Sequence, residues 1–362
     1  MHFTIPKATL LPALDRARAV ADAKTTMPQL AHVCLRATAS QLTVAATDLN
    51  LTAVSTLPLM GATGGALTIG AKALRDIVAN LPAGDVAIKK VDNNWAEIKA
   101  GKVSYRIVGM PDRDFPKIPD HREATFADVD AGALAELLDR TLFSVCHDET
   151  RFHLNGCLFE SNGATARMVS TDGHRLSKVD RKLAGPMMSQ GIIVPRKGAT
   201  EVAKLLAGAR TVRLAVKSPH LFVERDGVVV AVKLIDAQFP PYDQVIPKEH
   251  RTRVVVDRLV LLDAVKRCAL MSRETRGLKL AVDGALTLTA DHPDIGEVRE
   301  EVTAEQAGPG VVIGVAPKYL LEALAAASSD QVALELGGSL DPMAIRPVAG
   351  ADDLFIIMPM RV

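Results

Sequence analysis

The sequence predicts an α+β fold made of three tandem copies of one unit, each with two helices and an antiparallel sheet. Three observations predict it. Aspartate-bearing stretches recur at Thr47-Asp48-Leu49-Asn50-Leu51, Thr171-Asp172-Gly173-His174-Arg175-Leu176 and Thr287-Leu288-Thr289-Ala290-Asp291, with Asp48, Asp172 and Asp291 spaced by 124 and 119 residues. The pair Phe115-Pro116 returns as Phe239-Pro240, again 124 residues on. Leu74, Leu205 and Leu321 fall at corresponding depths in the second helical stretch of each block.

The first block, 1–121, opens with a strand at Phe3-Thr4-Ile5 and a helix over Lys7–Ala21, where Leu10, Leu11, Leu14 and Ala17 follow helical spacing. Strands are expected at Leu30–Ala37, Gln41–Ala46 and Leu51–Leu57, with β-branched residues and partial alternation. A second helix over Gly70–Asn80 stops at the turn cluster Leu81-Pro82-Ala83-Gly84. Strands at Asp85–Val91, Trp95–Ala100 and Ser104–Val108 complete the block.

The second block, 122–249, restarts the programme with a helix over Ala131–Val145, marked by Leu134, Leu137, Leu138 and Leu142. Strands follow at Leu154–Glu160, Ala164–Ser170, His174–Arg181 and Gly191–Pro195, then a helix over Gly198–Leu206 and strands at Val212–Val216, His220–Glu224 and Val228–Leu234. The third block, 250–362, has a strand at Arg253–Val256, helices over Arg258–Leu270 and Pro317–Ala326, and strands at Gly277–Val282, Ala285–Ala290, Glu297–Thr303, Gln331–Leu336, Pro342–Pro347 and Leu354–Met358. Polar, proline-marked linkers at Pro119–Glu123 and Pro247–Thr252 separate the blocks.

Composition narrows the function. At 48% hydrophobic and 23% charged, the chain reads as an ordinary globular protein, and its 362 residues allow two or three cores. Only 4% is aromatic, with Trp95 the single tryptophan, which disfavours carbohydrate or base-stacking surfaces. The net charge of +1 argues neither for nor against nucleic acid, so any basic face is local. Cys34, Cys146, Cys157 and Cys268 lack metal-ligand spacing and predict buried free thiols in a reducing compartment. Neither a signal segment nor a run of ~18 apolar residues is present, so a cytoplasmic location without cofactor or metal is expected.

The Thr171–Leu176 stretch places an acid, a glycine, a histidine and an arginine together. On a strand, Asp172 and His174 would share a face, and a hydrolase using these two residues is one reading. Against it, a general base needs a nucleophile and an oxyanion site within reach, and no nucleophile elbow, phosphate loop or metal-spaced cluster occurs. Pro195-Arg196-Lys197-Gly198 is basic but lacks phosphate-loop spacing.

Over its whole length the chain resembles the bacterial β sliding clamps, the beta subunits of DNA polymerase III. The carriers are Arg151-Phe-His-Leu-Asn-Gly156, Thr171–Leu176, Val194-Pro-Arg-Lys-Gly198, Phe239-Pro-Pro-Tyr242 and Met358-Pro-Met-Arg-Val362, in that order. The resemblance implies a homodimeric ring of six clamp domains, with twelve helices lining the hole and no reaction of its own. Helices packed ~8–10 Å apart and ~10–12 Å thick would leave a hole roughly 20–30 Å wide. A B-form duplex, roughly 20 Å across, would pass without being gripped.

Such helices are expected to carry basic residues toward phosphates: Arg16 and Arg18, Arg140 and Lys204, then Lys266, Arg267 and Arg273. The resemblance singles out Lys24, His147, Phe152, His153, Arg196 and Lys197 as DNA-facing, with His153 a departure from the family's frequent aromatic. It implies a partner-peptide pocket of Leu154, Thr171, Gly173, His174, Arg175, Leu176, Pro240, Val245, Leu340, Pro342, Ile356, Met358, Pro359, Met360 and Arg361, with Val362 ending the chain. Flexible methionines suit several partners. Gln244 stands where the family often has Arg, and Ala316 where it often has Asn, which puts peptide selectivity in question. The dimer contact falls on Tyr105 and Ile107 against Leu270 and Met271. Implied partners are duplex DNA, a second copy, the polymerase III alpha subunit, the clamp loader delta subunit, other polymerases and mismatch-repair proteins. A divergent clamp that regulates replication is a further alternative.

Overall fold

The computed structural model describes residues 1–22, 24–272, 277–350 and 352–361. Arg273 and Val362 lie outside the described residues. Six helices of two turns or more are described: α1 (Lys7–Val20), α2 (Ala71–Asn80), α3 (Ala131–Asp139), α4 (Arg196–Leu206), α5 (Arg258–Cys268) and α6 (Pro317–Ala326). They pack in consecutive pairs, α1 on α2, α3 on α4 and α5 on α6. Among the described residues the strands pair antiparallel. The repeated two-helix-plus-sheet unit of an α+β protein is therefore present three times.

Local chemistry starts the helices. Asp130 caps α3 by accepting from Ala133 N at 2.7 Å, and Asp257 caps α5 through Val260 N at 2.9 Å; each satisfies an amide that the first turn leaves unpaired. At α6, Pro317 takes the first position, where a missing N–H costs nothing. α4 begins two residues earlier than expected, so Arg196 and Lys197 belong to its first turn.

α3 is shorter than expected: it ends at Asp139 rather than Val145. Thr141 leaves helical geometry with φ of −124°, and its hydroxyl donates to Leu137 O at 2.7 Å, closing the helix end. A 3-10 turn over Leu142–Ser144 then carries the chain on. Periodicity continued through this break because Val145 and Cys146 remain buried.

Two compact units divide the chain. The first holds Met1–Asp128 and Val212–Leu234. Its sheet runs from His2–Pro6 through Asp85–Lys90, Trp95–Ala100, Val103–Met110, Gly65–Gly70, His32–Ala37, Gln41–Thr47 and Leu51–Pro58 to Val228–Lys233 and His220–Arg225. Strand Gly65–Gly70 carried no sequence expectation.

The second unit holds Val129–Thr211 and Ile235–Val362. A nine-stranded sheet there runs Ile192–Pro195, Gly156–Ser161, Thr165–Thr171, Arg175–Lys182, Asp352–Ile357, Met343–Pro347, Gln331–Leu336, Thr252–Asp257, Glu305–Ala307. Its centre joins the middle block to the last, with Leu176 opposite Ile356 and Arg175 opposite Ile357. A second sheet orders Gly296–Val302, Leu286–His292, Leu278–Val282 and Val311–Val315.

All four cysteines are buried and free; burial pushes the Cys157 thiol up to about 12. No helix among the described residues is long and apolar enough to cross a membrane.

Candidate docking groove

Asp172, Gly173 and His174 do not lie on a strand, so the expected sharing of a strand face by Asp172 and His174 is corrected. They form the turn between strands Thr165–Thr171 and Arg175–Lys182. Gly173 has φ of +88°, a left-handed conformation that glycine adopts without a Cβ penalty. Asp172 Oδ1 accepts from the amides of His174 and Arg175 at 2.9 and 3.1 Å, and Oδ2 accepts from Arg175 Nε at 3.0 Å. That carboxylate is spent on holding the turn, which leaves a general-base role without support.

Arg175 is the buried pin of this wall. Besides Asp172, its Nη1 donates to Glu322 Oε2 and its Nη2 to Phe143 O. Its guanidinium lies 4.6 Å from the Tyr319 ring and 5.4 Å from that of Phe143. Exposed His174 stacks on Tyr319 at 6.4 Å with 14° between planes. Burial, followed by the Asp172 charge, pushes the Tyr319 phenol up.

The opposite wall is the C-terminus. Met358 N donates to His174 O at 2.9 Å, extending the strand pairing, and Met360 N donates to Gly314 O at 2.8 Å. Met358, Pro359 and Met360 are half-buried and Arg361 is exposed. Leu154, Leu176 and Ile356 form part of the apolar core beneath, with Val169, Ile193, Phe239 and Tyr242. They support the groove rather than line it. Thr171 Oγ1 donates to Arg175 O at 2.6 Å and closes the turn.

Beside these walls opens a cavity of about 350 Å³, lined by Val245, Pro342 and Met358 among the expected residues. Gln244, Ile246, Pro247, Glu249, Gly337 and Asp341 line it too; the sequence marks Gln244 as a departure and Pro247–Thr252 as a linker, and points to none of the others. Leu340 is exposed at 71% on the adjacent loop, and Pro240 is half-buried. Tyr319 and Glu322 were also missed; their spacing on α6 was legible, but their partner strand was not.

The expected DNA-facing residues of the second unit fall on two segments, 147–153 and the first turn of α4, which meet where Arg196 N donates to Asn155 O at 2.9 Å. Arg196 Nη1 donates to His147 Nδ1 at 2.8 Å, so the imidazole accepts and is neutral. Partial desolvation, then Arg196, Lys318 and Arg175, holds its pKa below the usual imidazole value. Phe152 and His153 meet edge-to-face at 5.8 Å, with Phe152 exposed. Lys197 is exposed beside Arg196. Lys24, in the first unit, is exposed, and its amide donates to Asp22 Oδ1.

Several basic helix residues expected to reach outward are instead engaged within the chain. Arg140 meets the fully buried Asp353 at 2.7 Å and Glu136 at 3.4 Å. Arg18 pairs with Asp76, Lys204 with Glu201, Lys266 with Asp263 and Arg267 with Glu300. Arg16 Nε donates to Ser55 Oγ. All but Arg16 face a carboxylate, on the same helix for Lys204 and Lys266 and on an element distant in sequence for Arg18, Arg267 and the Arg140–Asp353 pair, so their spacing alone does not show it.

Of the expected dimer residues, Tyr105 is 40% exposed and Ile107 half-buried, on strand Val103–Met110. Leu270 is 59% exposed beyond α5, while Met271 packs partly on the third core.

Family models for the DNA polymerase III beta subunit match the chain three times in succession. The N-terminal domain matches residues 1–119, the central domain 128–241 and the C-terminal domain 243–361. The chain belongs to the β sliding clamp family. Beta sliding clamps of Pseudomonas aeruginosa and Escherichia coli are 34% and 29% identical to it, each over 100% of both chains. The crystal structure of the P. aeruginosa DNA polymerase III beta subunit superposes with a TM-score of 0.94 at 32% identity, covering 100% of both chains. The Bacillus subtilis sliding clamp gives 0.96 at 25% identity, covering 100% of this chain and 99% of that one. Within the sliding clamp family, the turn at Asp172 and the C-terminal strand meet here as one continuous surface.

Proposed function

We propose that this chain is a DNA sliding clamp, a non-catalytic processivity factor whose homodimeric ring encircles duplex DNA and tethers the replicative polymerase. The observation that carries the docking part is the pairing of Arg175–Lys182 with Asp352–Ile357, which sets His174 beside Met358 at the edge of an apolar cavity. Partner peptides dock along Leu154, Thr171, Gly173, His174, Arg175, Leu176, Pro240, Val245, Leu340, Pro342, Ile356 and Met358–Arg361. The partners are the polymerase III alpha subunit, the clamp loader delta subunit, other polymerases and mismatch-repair proteins. Duplex DNA meets Lys24, His147, Phe152, His153, Arg196 and Lys197 through its phosphates, without sequence readout.

The ring closes by Tyr105 and Ile107 of one copy against Leu270 and Met271 of the other. Val103, Tyr105 and Val108 expose apolar surface along one strand, and Leu270 does so beyond α5; apolar surface grouped along a strand in this way supports an interface there. Domain boundaries fall at 1–121, 122–249 and 250–362, and the protein works in the cytoplasm on the nucleoid.

Loading onto closed circular duplex and then cutting the circle tests the mechanism. The protein should remain on the circle through gel filtration at moderate salt and leave after linearisation. Retention on the linear form would refute topological tethering.

A further inference from the structure

We infer that the docking cavity selects among apolar partner segments for those with a lysine or arginine beside the apolar anchor, an inference that rests on the docking reading above. The cavity floor and walls are apolar: Val245, Ile246, Pro247, Pro342 and Met358. Its charged lining is of one sign, with the neutral amide of Gln244 the remaining polar side chain. Glu249 enters from the loop after Tyr242, and Asp341 from the separate loop between strands Gln331–Leu336 and Met343–Pro347. Both are exposed, and no lysine or arginine lines the same cavity.

Asp341 Oδ2 accepts from Gly338 N at 2.7 Å, which orients the carboxylate without neutralising it. Lys248 and Arg361 are exposed and do not belong to the lining. Carboxylates from two loops therefore share the lip of an apolar hollow without an internal counter-ion. Low-dielectric walls strengthen such a field at the lip. A cationic side chain on an incoming segment is drawn there, and an acidic one is repelled. Apolar anchors then supply affinity while the lip supplies discrimination.

The test is a fluorescence-polarisation titration of the intact protein with three labelled peptides. They share one Leu-Leu-Phe anchor and carry Lys, Ala or Glu on its flanks. At low ionic strength the Lys peptide should bind about tenfold more tightly than the Glu peptide, as expected of surface ion pairs each worth up to roughly fivefold. The Ala peptide should fall between them. That gap should narrow as salt rises and collapse in the Glu249→Gln/Asp341→Asn double variant. Equal binding of all three peptides would overturn the selection while leaving the docking reading standing. A gap that persists unchanged in the double variant would also overturn it. Failure of every peptide to bind the intact protein would remove the docking reading itself, and the inference with it.

Discussion

The guanidinium of Arg175 stands 4.6 Å over the ring of Tyr319, and its Nη1 donates to Glu322 one turn further along α6. A strand of the middle repeat is thus fastened to a helix of the third. With Nε on Asp172 and Nη2 on the Phe143 carbonyl, the Arg175 side chain is only 5% exposed. The same side chain lies against the Tyr319 ring on which His174 stacks, so the tie fixes the surroundings of that exposed imidazole.

Replacing Glu322 with Gln keeps the shape and removes one charge from this tie. The expected loss is about 1–2 kcal/mol of unfolding free energy, read from the urea midpoint. Arg175→Ala should cost more, about 3 kcal/mol, because it leaves Asp172 and Glu322 without their cation. A midpoint unmoved by both changes would mean that the tie contributes nothing to the fold.

Asp353 has a fully buried side chain between Arg140 and Arg181, at 2.7 Å from each, with Ser328 Oγ at 3.3 Å. Asp353→Ala removes the buried partner of two guanidinium groups, which keep only the exposed Glu136, and should destabilise by about 3 kcal/mol. Calorimetry would show a lowered Tm, and Asp353→Asn should recover part of it.

Removing residues from Met358 onward spares strand Asp352–Ile357 but takes away the second wall of the groove. Affinity for an apolar partner peptide should fall at least a hundredfold, while the mass in solution remains that of two chains. Loss of the dimer instead would place the C-terminus in the subunit contact.

Strand Val103–Met110 exposes Tyr105 and Val108, and Arg106 lies 5.0 Å over the ring of Trp95 on the neighbouring strand. Tyr105→Glu should halve the mass measured by sedimentation. Diluting the native protein should change the emission of Trp95, the single tryptophan, over the same concentration range as dissociation.

His147 is an acceptor for Arg196 and is held below the ordinary imidazole pKa by desolvation and neighbouring cations. A pKa held below the ordinary imidazole value leaves it neutral at pH 7. If duplex phosphates approach His147 as proposed, they favour the imidazolium, so binding takes up a proton and affinity should rise as pH falls below the ordinary imidazole range. The salt dependence of binding should steepen by up to ~0.9 per log unit at low pH. His147→Gln should abolish that change while matching the native protein at pH 8. An identical steepening in the variant would assign the proton elsewhere.

By itself, the sequence determined the threefold α+β repeat and the place of most helices. Pro317–Ala326 was legible to the residue, because a proline start and a leucine stripe are local signals. It also singled out Thr171–Leu176 and the terminal Met358–Arg361 through resemblance. Tertiary structure alone decided that these segments, some 180 residues apart, are neighbours, since strand pairing depends on core burial across the chain and leaves no local spacing to read. It decided that Asp172 closes a turn, where Gly173 at positive φ replaces strand alternation. It decided too that Tyr319 and Glu322 grip Arg175, and that Glu249 and Asp341 share one lip. Those relationships are set by long-range packing, and packing is what converts the catalytic-looking cluster at Asp172–Arg175 into one wall of a groove.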